Sequence, residues 1–90
     1  MIDRAQIGDI AIEAVFADTK DHMDLTLQNK GRHTFASKHE VLGVLEEERH
    51  ELVRAIHENE PANKVRGELL DLAIVCIFAA ACIDADTLEW

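Results

Sequence analysis

Apolar residues return at helical spacing in three stretches of the chain, separated by two breaks. In the first stretch Ile7, Ile10, Ala11, Ala14 and Val15 share one face of a 3.6-residue period, and Asp3 followed by Gln6 resembles a capping box. Residues 4 to 17 are therefore expected to form an amphipathic helix, slightly weakened by Gly8. From Asp18 to Ser37 the periodicity is lost, and DTKDHMD and QNKGRHT place turn-forming residues around Leu25, Leu27 and Phe35. A structureless stretch of this length is unusual in a small domain, so the segment reads either as a functional loop or as one containing a short element. One option is a hairpin pairing 24–28 with 32–36 around Asn29-Lys30-Gly31.

The second stretch opens on Ser37-Lys38-His39-Glu40, a capping box, after which Val41, Leu45, Leu52 and Ile56 form a stripe at spacings of four, seven and four. A long helix over 38–59 follows, stopped at Asn59-Glu60-Pro61, where proline ends one helix and favours the start of another. A third helix is expected over 62–84. Its half from Leu72 to Ile83 is apolar on every side, which does not suit a surface helix of a monomer, so it is expected to pack against another subunit. The fold class expected is all-α: a hairpin of two long helices plus an N-terminal helix, in a single domain over 1–90, completed as a bundle by oligomerisation. The tail ADTLEW is too short for its pattern to be read, and Trp90 is a group able to dock on a partner.

Composition narrows the functional classes. Eighteen acidic against nine basic side chains give a formal charge of -9, and a surface of that sign repels phosphate backbones and anionic lipid. Nucleic-acid and membrane binding are disfavoured accordingly. The charged start MIDRAQIGD lacks the apolar core of a signal peptide, and the run Leu72 to Ile83 falls short of the roughly 20 residues that span a bilayer, so a soluble cytoplasmic protein is expected. Cys76 and Cys82 lie six helical steps apart on different faces and read as small buried hydrophobes. An alternative is a disulfide between subunits.

The chemistry concentrates in two acidic pairs. Glu48-x-x-Glu51 lies on the second helix and Glu68-x-x-Asp71 on the third, and three helical steps leave each pair on one face. With the chain folded at Glu60, Glu51 and Glu68 lie nine and eight residues from the hinge, Glu48 and Asp71 twelve and eleven. The pairs therefore stand at matching heights. Glu48 interrupts the stripe between Leu45 and Leu52, and Asp71 precedes Leu72, so both pairs border packed faces. Four carboxylates brought together need a compensating cation, and a hard divalent ion suits oxygen ligands, Mg2+ first and Mn2+ second. The plain alternative is a solvated acidic face, because Glu is a good helix former and E-x-x-E recurs by chance.

The arrangement E-x-x-E, sixteen residues, E-x-x-D, carried by LEEERHELVRAI and VRGELLDLAIVCIFAA, resembles the MazG-like all-α nucleoside triphosphate pyrophosphohydrolases, relatives of the dimeric dUTPases and of phosphoribosyl-ATP pyrophosphatase. The resemblance covers residues 38–83, about half the chain. It implies Mg2+-dependent hydrolysis of a ribo- or deoxynucleoside triphosphate to the monophosphate and pyrophosphate, with Glu48, Glu51, Glu68 and Asp71 as metal ligands and a homodimer or homotetramer as the working form. The family's fourth helix has no counterpart after Asp84, a place that a partner subunit or the first helix would fill. For this reaction Glu47 or Glu48 would activate the attacking water, and Lys38, Lys64 and Arg66 are nominated to bind substrate phosphates, with Lys30 and Arg32 as a lid. Phe16, Phe35 and His22 are the candidates for stacking on a base, without a motif to choose among them.

Two other readings use the same residues. Glu47-x-x-His50 occurs once, whereas di-iron bundles need two such combs, and His22, His33, His39 and His57 have no zinc-ligand spacing. A non-catalytic helical oligomerisation module, its acidic cluster a docking patch for a basic partner, is the alternative of a different class.

Overall fold

The computed structural model describes residues 3–89, and among these every regular element is helical: α1, Asp9–Lys30; α2, Lys38–His57; α3, Ala62–Asp84. Trp90, considered above as a docking group, lies outside the described residues. The chain divides after Gly31 into two compact units, the first containing α1 and the second the α2/α3 hairpin.

The first unit corrects the reading of residues 4–37. The helix begins at Asp9 rather than residue 4, with Gly8 at its N-cap, so Asp3 and Gln6 precede it in irregular chain and form no capping box. It then runs unbroken to Lys30, through the segment expected to be a loop or hairpin. The helix accommodates its polar side chains locally. Thr19 and Thr26 donate their hydroxyls to the carbonyls of Val15 and His22 at 2.7 and 2.9 Å, one turn back, and Lys20 pairs with Asp24 at 2.6 Å. Polar side chains that signal turns elsewhere are satisfied here inside a helix. Asn29-Lys30-Gly31 is the helix terminus: Gly31 takes φ 89°, a value open to glycine, and donates its N–H to Leu27 O at 2.8 Å.

In the second unit α2 starts as its capping box requires. The Glu40 N–H donates to Ser37 Oγ at 3.4 Å, and the Glu40 carboxylate reaches back to the Ala36 N–H at 3.2 Å, one residue before the cap. The helix ends at His57, two residues earlier than expected, because Asn59 adopts φ 54°. This turn sends the N–H of Asn59 to Ile56 O and that of Glu60 to Ala55 O. Pro61 then caps α3. The same turn closes α3, where Asp86 at φ 56° and Thr87 return their N–H groups to Ile83 and Cys82.

From there the chain folds back on the start of α2. The Thr34 and Thr87 hydroxyls meet at 2.6 Å, Glu89 donates to Ala36 O and Lys38 donates to Glu89 O, and Phe35 packs edge-on against Phe78 with ring centroids 5.5 Å apart. The hairpin is thus tied at both ends. Ala55, Leu70, Ile74, Ala79 and Cys82 are buried, and Val41, Val44, Leu45 and Leu52 are half-buried. Ile56, assigned above to the stripe, is 52% exposed, and Ala55 takes its place. Helical steps of about 100° carry Ile56 some 60° from Val41 on the side away from Val44, whereas Ala55 turns toward Val44.

Candidate metal centre

The rotation that buries Ala55 also sets the place of Glu48. Seven helical steps from Val41 leave it about 20° from that residue, in the middle of the stripe formed by Val41, Val44, Leu45, Leu52 and Ala55. An acidic side chain is therefore aimed into the hairpin, where α3 supplies Glu68 and Asp71 one turn apart. One carboxylate oxygen from each of Glu48, Glu68 and Asp71 lies within 4.8 Å of the other two, and all three residues are half-buried.

The burial is uneven in a telling way. The Glu68 side chain is only 12% exposed. The Oε2 atoms of Glu48 and Glu68 are both shut off from solvent, and that of Glu68 accepts no hydrogen bond. At an effective dielectric constant of about 20, unit charges about 5 Å apart repel by about 3 kcal/mol, less where water screens the open edge. A bound cation would relieve the repulsion among carboxylate oxygens converging in this manner. Oxygens on one octahedral Mg2+ at about 2.1 Å stand about 3.0 Å apart where adjacent and about 4.2 Å where opposite, so side-chain shifts of about 1 Å would bring this set onto the ion. The donor set, all carboxylate oxygen, is that of a hard divalent cation.

The four expected ligands do not share one placement. Glu51 lies about 60° around α2 from Glu48, is exposed, and stands outside the three-residue cluster. It lines instead an open groove of about 390 Å3 at the turn end of the hairpin, with Arg54, Ala55, Glu58, Glu60, Lys64 and Glu68. Glu68 belongs to both cluster and groove. Glu47 is exposed and outside the cluster, and Glu46 forms a solvated pair with Arg49 at 3.9 Å.

Of the cations nominated for phosphate, Lys64 is at the site: its Nζ stands 3.6 Å from Glu68 Oε1. Lys38 is the first residue of α2, ten residues and about 15 Å along the helix from Glu48, and Arg66 is exposed two steps before Glu68, turned about 200° from it. A basic residue that sequence reasoning missed, Arg54, faces the groove and pairs with Glu58 at 3.3 Å. Its spacing of three from Glu51 was the available signal. Among the base-stacking candidates, Phe35 is engaged with Phe78, Phe16 is exposed on α1, and His22 is half-buried on α1. Lys30 and Arg32 flank Gly31, the boundary between the two units, and both are exposed.

Both cysteines are free, Cys82 buried and Cys76 exposed. Among the described residues no helix is long and apolar enough to cross a membrane. No protein-family model, curated protein or solved structure matches the chain.

Proposed function

We propose that this chain is a Mg2+-dependent nucleoside triphosphate pyrophosphohydrolase of MazG-like type, hydrolysing a ribo- or deoxynucleoside triphosphate to the monophosphate and pyrophosphate. The observation that carries the reading is the convergence of Glu48, Glu68 and Asp71 from two helices, with the buried Glu68 Oε2 accepting no hydrogen bond. These three residues would hold the metal, Glu51 standing at the groove beside them. The ion would supply polarisation of the phosphate oxygens and neutralisation of the charge that develops on them. Water attacks phosphorus, its proton passes to Glu47 or Glu48, and the anhydride bond breaks with pyrophosphate leaving. No side-chain nucleophile is required. Lys64 and Arg54 line the groove on the two helices, where the leaving phosphates would be received.

The proposal includes assembly into a homodimer or homotetramer. It is supported by Leu69, Ile77 and Ile83 of α3 and Leu42 of α2, large apolar side chains that stay exposed. A panel of canonical and modified ribo- and deoxynucleoside triphosphates with Mg2+ tests the reaction, products being separated by chromatography beside an Asp71→Asn control. Monophosphate and pyrophosphate, absent in the control, are expected. Failure to turn over any nucleotide, together with a melting temperature indifferent to Mg2+ and Mn2+, would favour the non-catalytic oligomerisation module.

A further inference from the structure

Lys64 has two neighbourhoods. Its ammonium stands 3.6 Å from Glu68 Oε1, and its side chain lines the groove that also contains Arg54. The contact with Glu68 is weak by construction: it is long for a hydrogen bond, the lysine is 58% exposed, and a lysine placed N-terminal to a glutamate at i,i+4 is the less favourable order on a helix. Glu68, in contrast, is held inside the hairpin with Glu48 and Asp71. A divalent ion entering among these oxygens therefore meets Lys64 as a rival for one of its ligands, and the rival is the more exposed partner.

We infer that Lys64 is a placeholder counter-ion, which partly neutralises Glu48, Glu68 and Asp71 in the resting protein and is released by metal binding to grip substrate phosphate in the groove beside Arg54. The inference rests on the metal-centre reading and adds an order to it: metal binds before phosphate. Until the metal is present the groove offers a phosphate mainly the carboxylates of Glu51, Glu58 and Glu60, with Arg54 and Lys64 engaged by Glu58 and Glu68. Afterwards one ammonium is free to receive it.

The test compares wild type, Lys64→Gln and Lys20→Gln. The last removes the same charge from an exposed pair with Asp24 on α1. Mn2+ affinity is read from the electron paramagnetic resonance signal of the free ion, and pyrophosphate affinity by calorimetry at saturating Mn2+. Removing a unit charge that stands 3.6 Å from one of the ligand carboxylates is expected to tighten Mn2+ binding in Lys64→Gln about three- to tenfold. Pyrophosphate should bind that variant about tenfold more weakly, and Lys20→Gln should change neither value. Unaltered or weaker Mn2+ binding in Lys64→Gln, an equal gain in Lys20→Gln, or unaltered pyrophosphate binding would overturn the placeholder role while leaving the metal centre standing. A wild-type protein that binds no Mn2+ removes both.

Discussion

Glu48→Gln separates a metal ligand from a merely structural acid, because its effect on stability should change sign with metal. The substitution keeps the shape of a side chain that sits in the middle of the α2 stripe and removes one of three charges within 4.8 Å. At a dielectric constant of about 20 and the full separation of 4.8 Å, each of the two repulsions is about 3 kcal/mol. Screening at a half-exposed site reduces their sum to about 1–2 kcal/mol. In chelator the variant should therefore be the more stable protein, melting about 5–10 °C above wild type for a domain of this size. With Mg2+ at about 100 times its dissociation constant the native wild type gains about 2.7 kcal/mol, and a variant that has lost a ligand does not. The two melting curves should cross in order between chelator and saturating metal. Circular dichroism melts at one fixed protein concentration measure this, since an oligomer's melting temperature also moves with concentration. A lower melting temperature for Glu48→Gln in chelator, or an undiminished metal shift, would refute the assignment of Glu48 as a ligand held at an electrostatic cost to the fold.

Two further outcomes follow from burial. Ile74→Ala, at a position 6% exposed, should cost about 2–5 kcal/mol in urea denaturation, whereas Ile56→Ala, one helix away at 52% exposure, should cost about 1 kcal/mol or less; equal losses would mean that the α2 stripe is rotated from the arrangement described. If α3 pairs with a second copy through its exposed side, Leu69→Lys with Ile83→Lys should shift the light-scattering mass toward the monomer, and the exposed Cys76 should give a cross-linked dimer on mild oxidation that Cys76→Ser abolishes. A mass unchanged by the lysines would place the contact elsewhere.

Much of the hairpin was legible locally. Ser37 and Glu40 cap α2 through groups three residues apart, Asn59-Glu60-Pro61 can form little except a turn between helices, and counting outward from that turn put the acidic pairs at one height. The second half of α1 was misread for an equally local reason. Thr19, Thr26, Lys20 and Asp24 make bonds available to a helix and to a turn alike, and composition does not distinguish them. Residue spacing also left the clasp between 34–37 and 87–89 unseen, since a pairing across the length of the domain has no periodic signal.

The membership of the acidic cluster belonged to tertiary structure. Spacing sets how far along the axis a side chain stands, but the direction in which it points depends on how each helix is rolled against its neighbour. That roll is settled by which residues pack, here Val44 and Ala55 rather than Ile56. It turns Glu48 inward to Glu68 and Asp71 and leaves Glu51 at the groove with Arg54 and Lys64. Height along a helix is a property of the chain; the azimuth that makes four acids into a cluster of three and a groove is a property of the packed pair.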